Sequence, residues 1–184
     1  MLSRDEAIVI LKKYIKDENL LKRSIITEVV LRQIAKNLGE DEEIWGITGL
    51  LHNLDYDYTK DNPEKRGVLS ANILENLLPE ICINAIKANN YMHTDYIPIT
   101  SLDKSLISTA ELSRFIMIVA KSLQTKHLND VDVDTLIEKF NDQELGKGFN
   151  RHRIKLCEDV GFDLELFFKL TLLTLKPISE RLGL

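Results

Sequence analysis

Helix start and stop signals recur along this chain, and no segment carries sustained apolar–polar alternation. Together these restrict the fold to helices with essentially no sheet, because a half-buried strand needs a period of two. Ser3 with Glu6 makes a capping box ahead of a first helix of about a dozen residues. A second helix is predicted from about Asn19 to Asn37, stopped by Gly39 as a left-handed cap. Asp41 caps a third, which carries Trp45, Leu50, Leu51 and His52. Asn62-Pro63-Glu64 starts a fourth, with proline at the first helical position and a carboxylate near the positive helix end; it ends near Leu78. Pro79-Glu80 opens a fifth that ends near Asn89-Asn90, and Ser101 caps a long sixth reaching Leu123. Two shorter helices follow, from about Asp134 to Asn141 and from Arg151 to Val160, with Gly161 as a stop. Asp163 caps the last, which runs to about Leu182 with Pro177 as a kink. The segments 90–100 and 125–132 are expected to be loops.

The chain has 184 residues, a length that predicts one domain around one core, 1–184. Net charge is −5 and no basic stretch is dense enough to track a phosphate backbone, so no nucleic-acid partner is expected. The most apolar run, Leu164 to Leu175, is interrupted by Glu165 and Lys169. It is also shorter than the roughly 20 apolar residues a membrane span requires. Met1 to Asp5 leads straight into a helical pattern, so no signal peptide is expected. Cys82 and Cys157 lack metal-site spacing and read as small buried hydrophobes of a cytoplasmic protein. No phosphate-cradling glycine loop or nucleophile elbow is present, and Gly46 and Gly49 inside the third helix read as close-packing sites.

A spaced series of short motifs carries the chemistry. It comprises Leu21-Lys22-Arg23-Ser24, Gly49-Leu50-Leu51-His52-Asn53-Leu54-Asp55-Tyr56, Asn62-Pro63-Glu64-Lys65-Arg66, Ala88-Asn89-Asn90, Leu102-Asp103-Lys104 and Thr109-Ala110-Glu111-Leu112. In this order the series resembles the HD-domain (His-Asp) phosphohydrolase superfamily, and within it a small stand-alone branch of predicted HD hydrolases. The resemblance implies an all-α, single-domain HD helical bundle, with a core at about 19–124 and extra C-terminal helices at about 130–184.

The resemblance also implies a chemistry and a site. In the superfamily, histidines and aspartates hold a divalent cation that acidifies a water for attack on phosphorus. Carried onto this chain, the first histidine falls at Arg23, the doublet at His52 and Asn53, and further histidines at Asn62, Arg66 and Asn89. The late aspartate falls at Ala110, beside a retained Glu111. Of these positions only His52 keeps the ligand type. The resemblance therefore implies a pseudoenzyme with a degenerate metal site and no cofactor.

Helical spacing supports a pocket at these positions. Arg23 shares a stripe with Ile26 and Val30, Arg66 with Leu69, Ile73 and Leu77, Asn89 with Cys82 and Ile86, and Ala110 with Leu106, Ile107 and Met117. Polar and charged groups thus stand where the pattern expects core. Arginines also stand at two of the histidine positions that the resemblance implies, and Asn53 and Ala110 at the two aspartate positions, so these positions hold two positive charges and no carboxylate. At an effective dielectric of about 20, a divalent cation some 5 Å from one arginine is opposed by roughly 6–7 kcal/mol.

Two uses of Arg23 and Arg66 follow. They converge on a small phosphorylated anion, or they pair internally with Glu28, Asp55 or Asp57. The expected ligand pocket is Arg23, His52, Asn53, Asp55, Arg66, Asn89 and Glu111, with His52 and Asp55 as the catalytic candidates. His52 is either a ligand or a hydrogen-bonded core histidine, and Asp55 either a site carboxylate or an acceptor for nearby backbone amides. The alternative function is an active phosphohydrolase with a site rebuilt from His52, Asp55, His93 and Glu111 around Mn, Mg, Fe, Co or Zn. A protein partner in place of a small ligand is the third expectation.

Overall fold

The computed structural model describes residues 2–184 and, within them, every side chain except at positions 146 and 147. Met1, the expected first residue of the domain, lies outside the described residues. The described residues form helices and turns with no strand.

Ser3, Gly39 and Asp41 cap and stop the first helices as the sequence predicts. Helix α1 (Arg4–Tyr14) starts at Ser3, whose hydroxyl accepts from Glu6 N while the Glu6 carboxylate accepts from Ser3 N. Helix α2 (Glu18–Leu38) starts at Asp17 and ends at Gly39, at φ +72°. Helix α3 (Glu42–Leu51) starts at Asp41, which accepts from the amides of Glu43 and Ile44. The later helices are α4 (Val68–Leu74), α5 (Glu80–Ala88), α6 (Ser101–Ser122), α7 (Val133–Asn141), α8 (Arg151–Lys155), α9 (Leu164–Leu175) and α10 (Ser179–Leu182).

Helix α6 is buried on nearly every face and forms the axis of the bundle. Helices α2, α5 and α8 pack around it, and α3 lies along α2. The α2–α3 approach depends on Gly49: a Cβ there would sit 2.8 Å from Leu31 Cδ1 and 3.0 Å from the Thr27 carbonyl oxygen. Phe115 of α6 is ringed by Phe140, Phe149 and Phe168 at centroid distances of 5.9, 4.5 and 5.8 Å. The C-terminal helices therefore share the core of α6. Among the described residues no helix is long and apolar enough to cross a membrane.

Four helices depart from the sequence expectation. The fourth does not run from Asn62 to Leu78. A 3-10 turn at Pro63–Lys65 gives way to extended backbone at Arg66, then to Gly67 at φ +81°. The break is fixed by Asp55, whose Oδ2 accepts from Gly67 N at 2.7 Å and Ser70 N at 3.0 Å, so α4 starts there. Gly67 is needed twice over, since a Cβ would also lie 2.7 Å from the Ile86 carbonyl oxygen. The sixth helix is capped by Thr100 rather than Ser101, in a capping box with Asp103. The eighth stops at Lys155 and resumes only as a 3-10 turn at Glu158–Val160 before Gly161. Pro177 interrupts the last helix as a 3-10 turn between α9 and α10.

Candidate functional site

Helices α2, α3, α5, α6 and α8 enclose a polar cavity of about 190 Å³. Arg23 enters from the first turns of α2. Asn53 lies just past the end of α3, and Asn89 and Asn90 at the end of α5. Ala110, Glu111 and Arg114 come from the middle of α6, and Arg153 from α8. Tyr56, Arg66, Met92 and His93 arrive from the connecting segments. Four guanidinium groups thus face one carboxylate.

Arg23 is half-buried in this wall, with its Nε fully enclosed. Its Nε is buried and has no hydrogen-bond partner, and its one contact is a 3.4 Å bond from a terminal nitrogen to the Ala110 carbonyl. Burial, then repulsion from Arg114, hold its pKa below the usual arginine value, with Glu111 opposing both. Arg66 is not on the helical stripe with Leu69, Ile73 and Leu77, because it precedes the break at Gly67. It stacks over the Tyr56 ring at 4.7 Å and donates at 3.4 Å to the Thr59 hydroxyl and carbonyl oxygens.

The three acids expected to neutralise these arginines are engaged elsewhere. Glu28 is buried between Arg4, at 2.6 Å, and Arg32, at 3.2 Å. Asp57 pairs with Lys60 at 2.8 Å. Asp55 holds the start of α4. Among the described residues Arg23, Arg66 and Arg114 make no ion pair.

Among the described residues Glu111 and Arg153 form the one ion pair in the cavity. Arg153 Nε donates to Glu111 Oε2 at 3.0 Å, and its terminal nitrogens donate to the Asn89 carbonyl oxygen at 2.8 Å and to Asn89 Oδ1 at 2.9 Å. Glu111 Oε1 accepts from Asn150 N at 3.0 Å. Both oxygens of Glu111 therefore already accept a hydrogen bond.

His52 and Asp55 lie outside this lining. His52 Nδ1 is 2.6 Å from the Gly49 carbonyl oxygen, which can only accept, so the proton sits on Nδ1. Its Nε2 is buried without a partner. Burial pushes its pKa down to about 4, with repulsion from Arg23 and Arg153 adding to the shift and the Gly49 bond opposing it. Asp55 lines a different cavity, with Tyr14, Tyr58, Leu69 and Ile73. Desolvation raises its pKa against the hydrogen bonds from Ser70 and Gly67. Its backbone N also donates to the Ser70 hydroxyl, so it is built into the α4 junction.

The donor set does not fit a divalent cation. Among the described residues no three His, Cys, Asp or Glu side chains converge to hold one. His52 is a lone buried imidazole, Asn53 and Asn89 are amides, Glu111 is held by Arg153, and His93 is exposed. The expected rebuilt set of His52, Asp55, His93 and Glu111 is not brought into one place.

Arg114, Arg153, Tyr56 and Asn90 were not expected at the site. Arg114 falls four residues after Ala110 on α6, a spacing that places both on one face. Arg153 carries no local signal, since its partners Asn89 and Glu111 are 64 and 42 residues away.

An all-helical bundle with a polar cavity flanked by a His–Asn doublet defines the class. The HD domain family model matches residues 20–147, more than half of the chain, and the chain belongs to that family. Arg153 lies beyond the matched span. No curated protein and no solved structure matches the chain.

Proposed function

We propose that this HD-family protein binds a small phosphorylated anion in the arginine-lined cavity, without a metal, and has lost metal-dependent hydrolysis. The observation that carries this reading is the guanidinium of Arg23, buried with Nε unpartnered in a wall that also holds Arg66, Arg114 and Arg153. A buried cation without a counter-ion is costly, and an anion that enters relieves the cost. Guanidinium forks match the geometry of phosphate oxygens, and exclusion of water strengthens each contact. Nothing in the lining supplies the converging carboxylates and imidazoles that a catalytic cation needs.

Thermal denaturation in chelator-containing buffer tests this reading, since a ligand that binds only the folded state must stabilise it. Inorganic phosphate raises the melting temperature of the wild type and has little effect on Arg23→Gln. Equal shifts in both proteins, or none in the wild type, contradict it.

A further inference from the structure

The arginine cavity has an apolar neighbour. A second, mainly apolar recess of about 290 Å³ is lined by the same Arg23 and Arg114 together with Leu20, Met117, Ile118 and Gly148, and Lys121 bonded to Asn19 at 3.0 Å completes its rim. The arrangement follows from helical spacing. Leu20 lies three residues before Arg23 on α2, while Met117 and Ile118 lie three and four after Arg114 on α6. On each helix the stripe that faces the polar cavity continues for one turn beyond its arginine as apolar side chains. Arg23 and Arg114 therefore stand at the boundary, with charge on one side and hydrocarbon on the other, a division that the long arginine stem suits. Gly148 packs closely on this wall, since a Cβ there would lie 2.7 Å from Ile118 Cδ1 and would push that side chain toward the recess. Each cavity alone is smaller than the roughly 300–1,000 Å³ of a typical small-molecule site, and the two together fall within that range.

Building on the anion-binding reading, we infer that the ligand is a phosphate ester with an apolar organic half. The phosphoryl group lies among the arginines, and the organic half crosses the Arg23–Arg114 boundary into the recess of Leu20, Met117 and Ile118. A bare inorganic anion uses only the first cavity. An apolar ester of the same charge uses both and gains the burial of its hydrocarbon surface.

The experiment is a calorimetric comparison of methyl, phenyl and 1-naphthyl phosphate, which share one charged group and differ in apolar surface. Affinity is expected to rise through the series, with naphthyl phosphate about tenfold tighter than methyl phosphate, as burial of roughly 55 Å² of apolar surface provides. In Ile118→Gln, and separately in Gly148→Ala, whose Cβ narrows the recess, the naphthyl-to-methyl ratio is expected to fall toward one. Equal affinities for the three esters in the wild type overturn the inference while leaving anion binding intact. A ratio unchanged in both variants overturns it as well. Failure of all three esters to bind removes the anion-binding reading itself.

Discussion

Glu111 and Arg153, 42 residues apart in sequence, form a 3.0 Å ion pair whose side chains are almost fully enclosed. The pair joins the central helix α6 to α8, and the same guanidinium also binds both oxygens of Asn89. One cation thus pairs with Glu111, and it comes from beyond the span that matches the family.

Removing that cation affects both stability and binding. Arg153→Ala leaves Glu111 and Asn89 short of donors, and the expected loss is about 1–3 kcal/mol of folding stability, measured by urea denaturation. Phosphate affinity falls as well. Arg153→Lys restores neither fully, because one ammonium cannot reproduce three guanidinium bonds in a fixed fork. Full rescue by lysine contradicts the geometric role.

His52 gives the chain a pH dependence with a defined sign. Its folded pKa is lowered from 6.5 to about 4. Between those values the unfolded chain binds a proton that the folded chain does not. Stability from this group is present above pH 6.5 and is lost as pH falls toward 4, by about 3 kcal/mol at the acid end. In urea denaturation, the stability advantage of the wild type over His52→Gln shrinks across this window. A constant difference from pH 7 to pH 4 refutes the assignment.

Asp55 separates structural from binding roles. Asp55→Ala leaves the amides of Gly67 and Ser70 without their acceptor at the start of α4, at a cost of about 1–3 kcal/mol. Because Asp55 faces a different cavity, the phosphate affinity of the folded variant is expected to stay within about twofold of the wild type, under 0.5 kcal/mol. A tenfold loss of affinity without unfolding would place Asp55 in the site after all.

The fold was legible because helix ends are local. Ser3, Asp41, Gly39 and Asp163 carry their function within a few residues, and each caps or stops a helix as its neighbours dictate. The break at Gly67 was not legible, since it depends on a carboxylate twelve residues earlier and on the Ile86 carbonyl of a neighbouring helix. The site divides in the same way. Arg23, Asn53, Arg66, Asn89 and Glu111 lie on the cavity wall that motif spacing points to, while His52 bonds the Gly49 carbonyl three residues back and Asp55 accepts from the amides of Gly67 and Ser70, twelve and fifteen residues on. Arg153 escaped notice because its role exists only once α8 has folded against α6.

The proposed cavity selects an anion over a divalent cation. The most direct measurement is a pair of calorimetric titrations of chelator-treated, dialysed protein, one with Mn²⁺ and one with inorganic phosphate. Saturable one-to-one binding of phosphate with no metal present, and no stoichiometric binding of Mn²⁺, is expected. Tight one-to-one binding of Mn²⁺, or phosphate binding that appears only after Mn²⁺ is added, would contradict it.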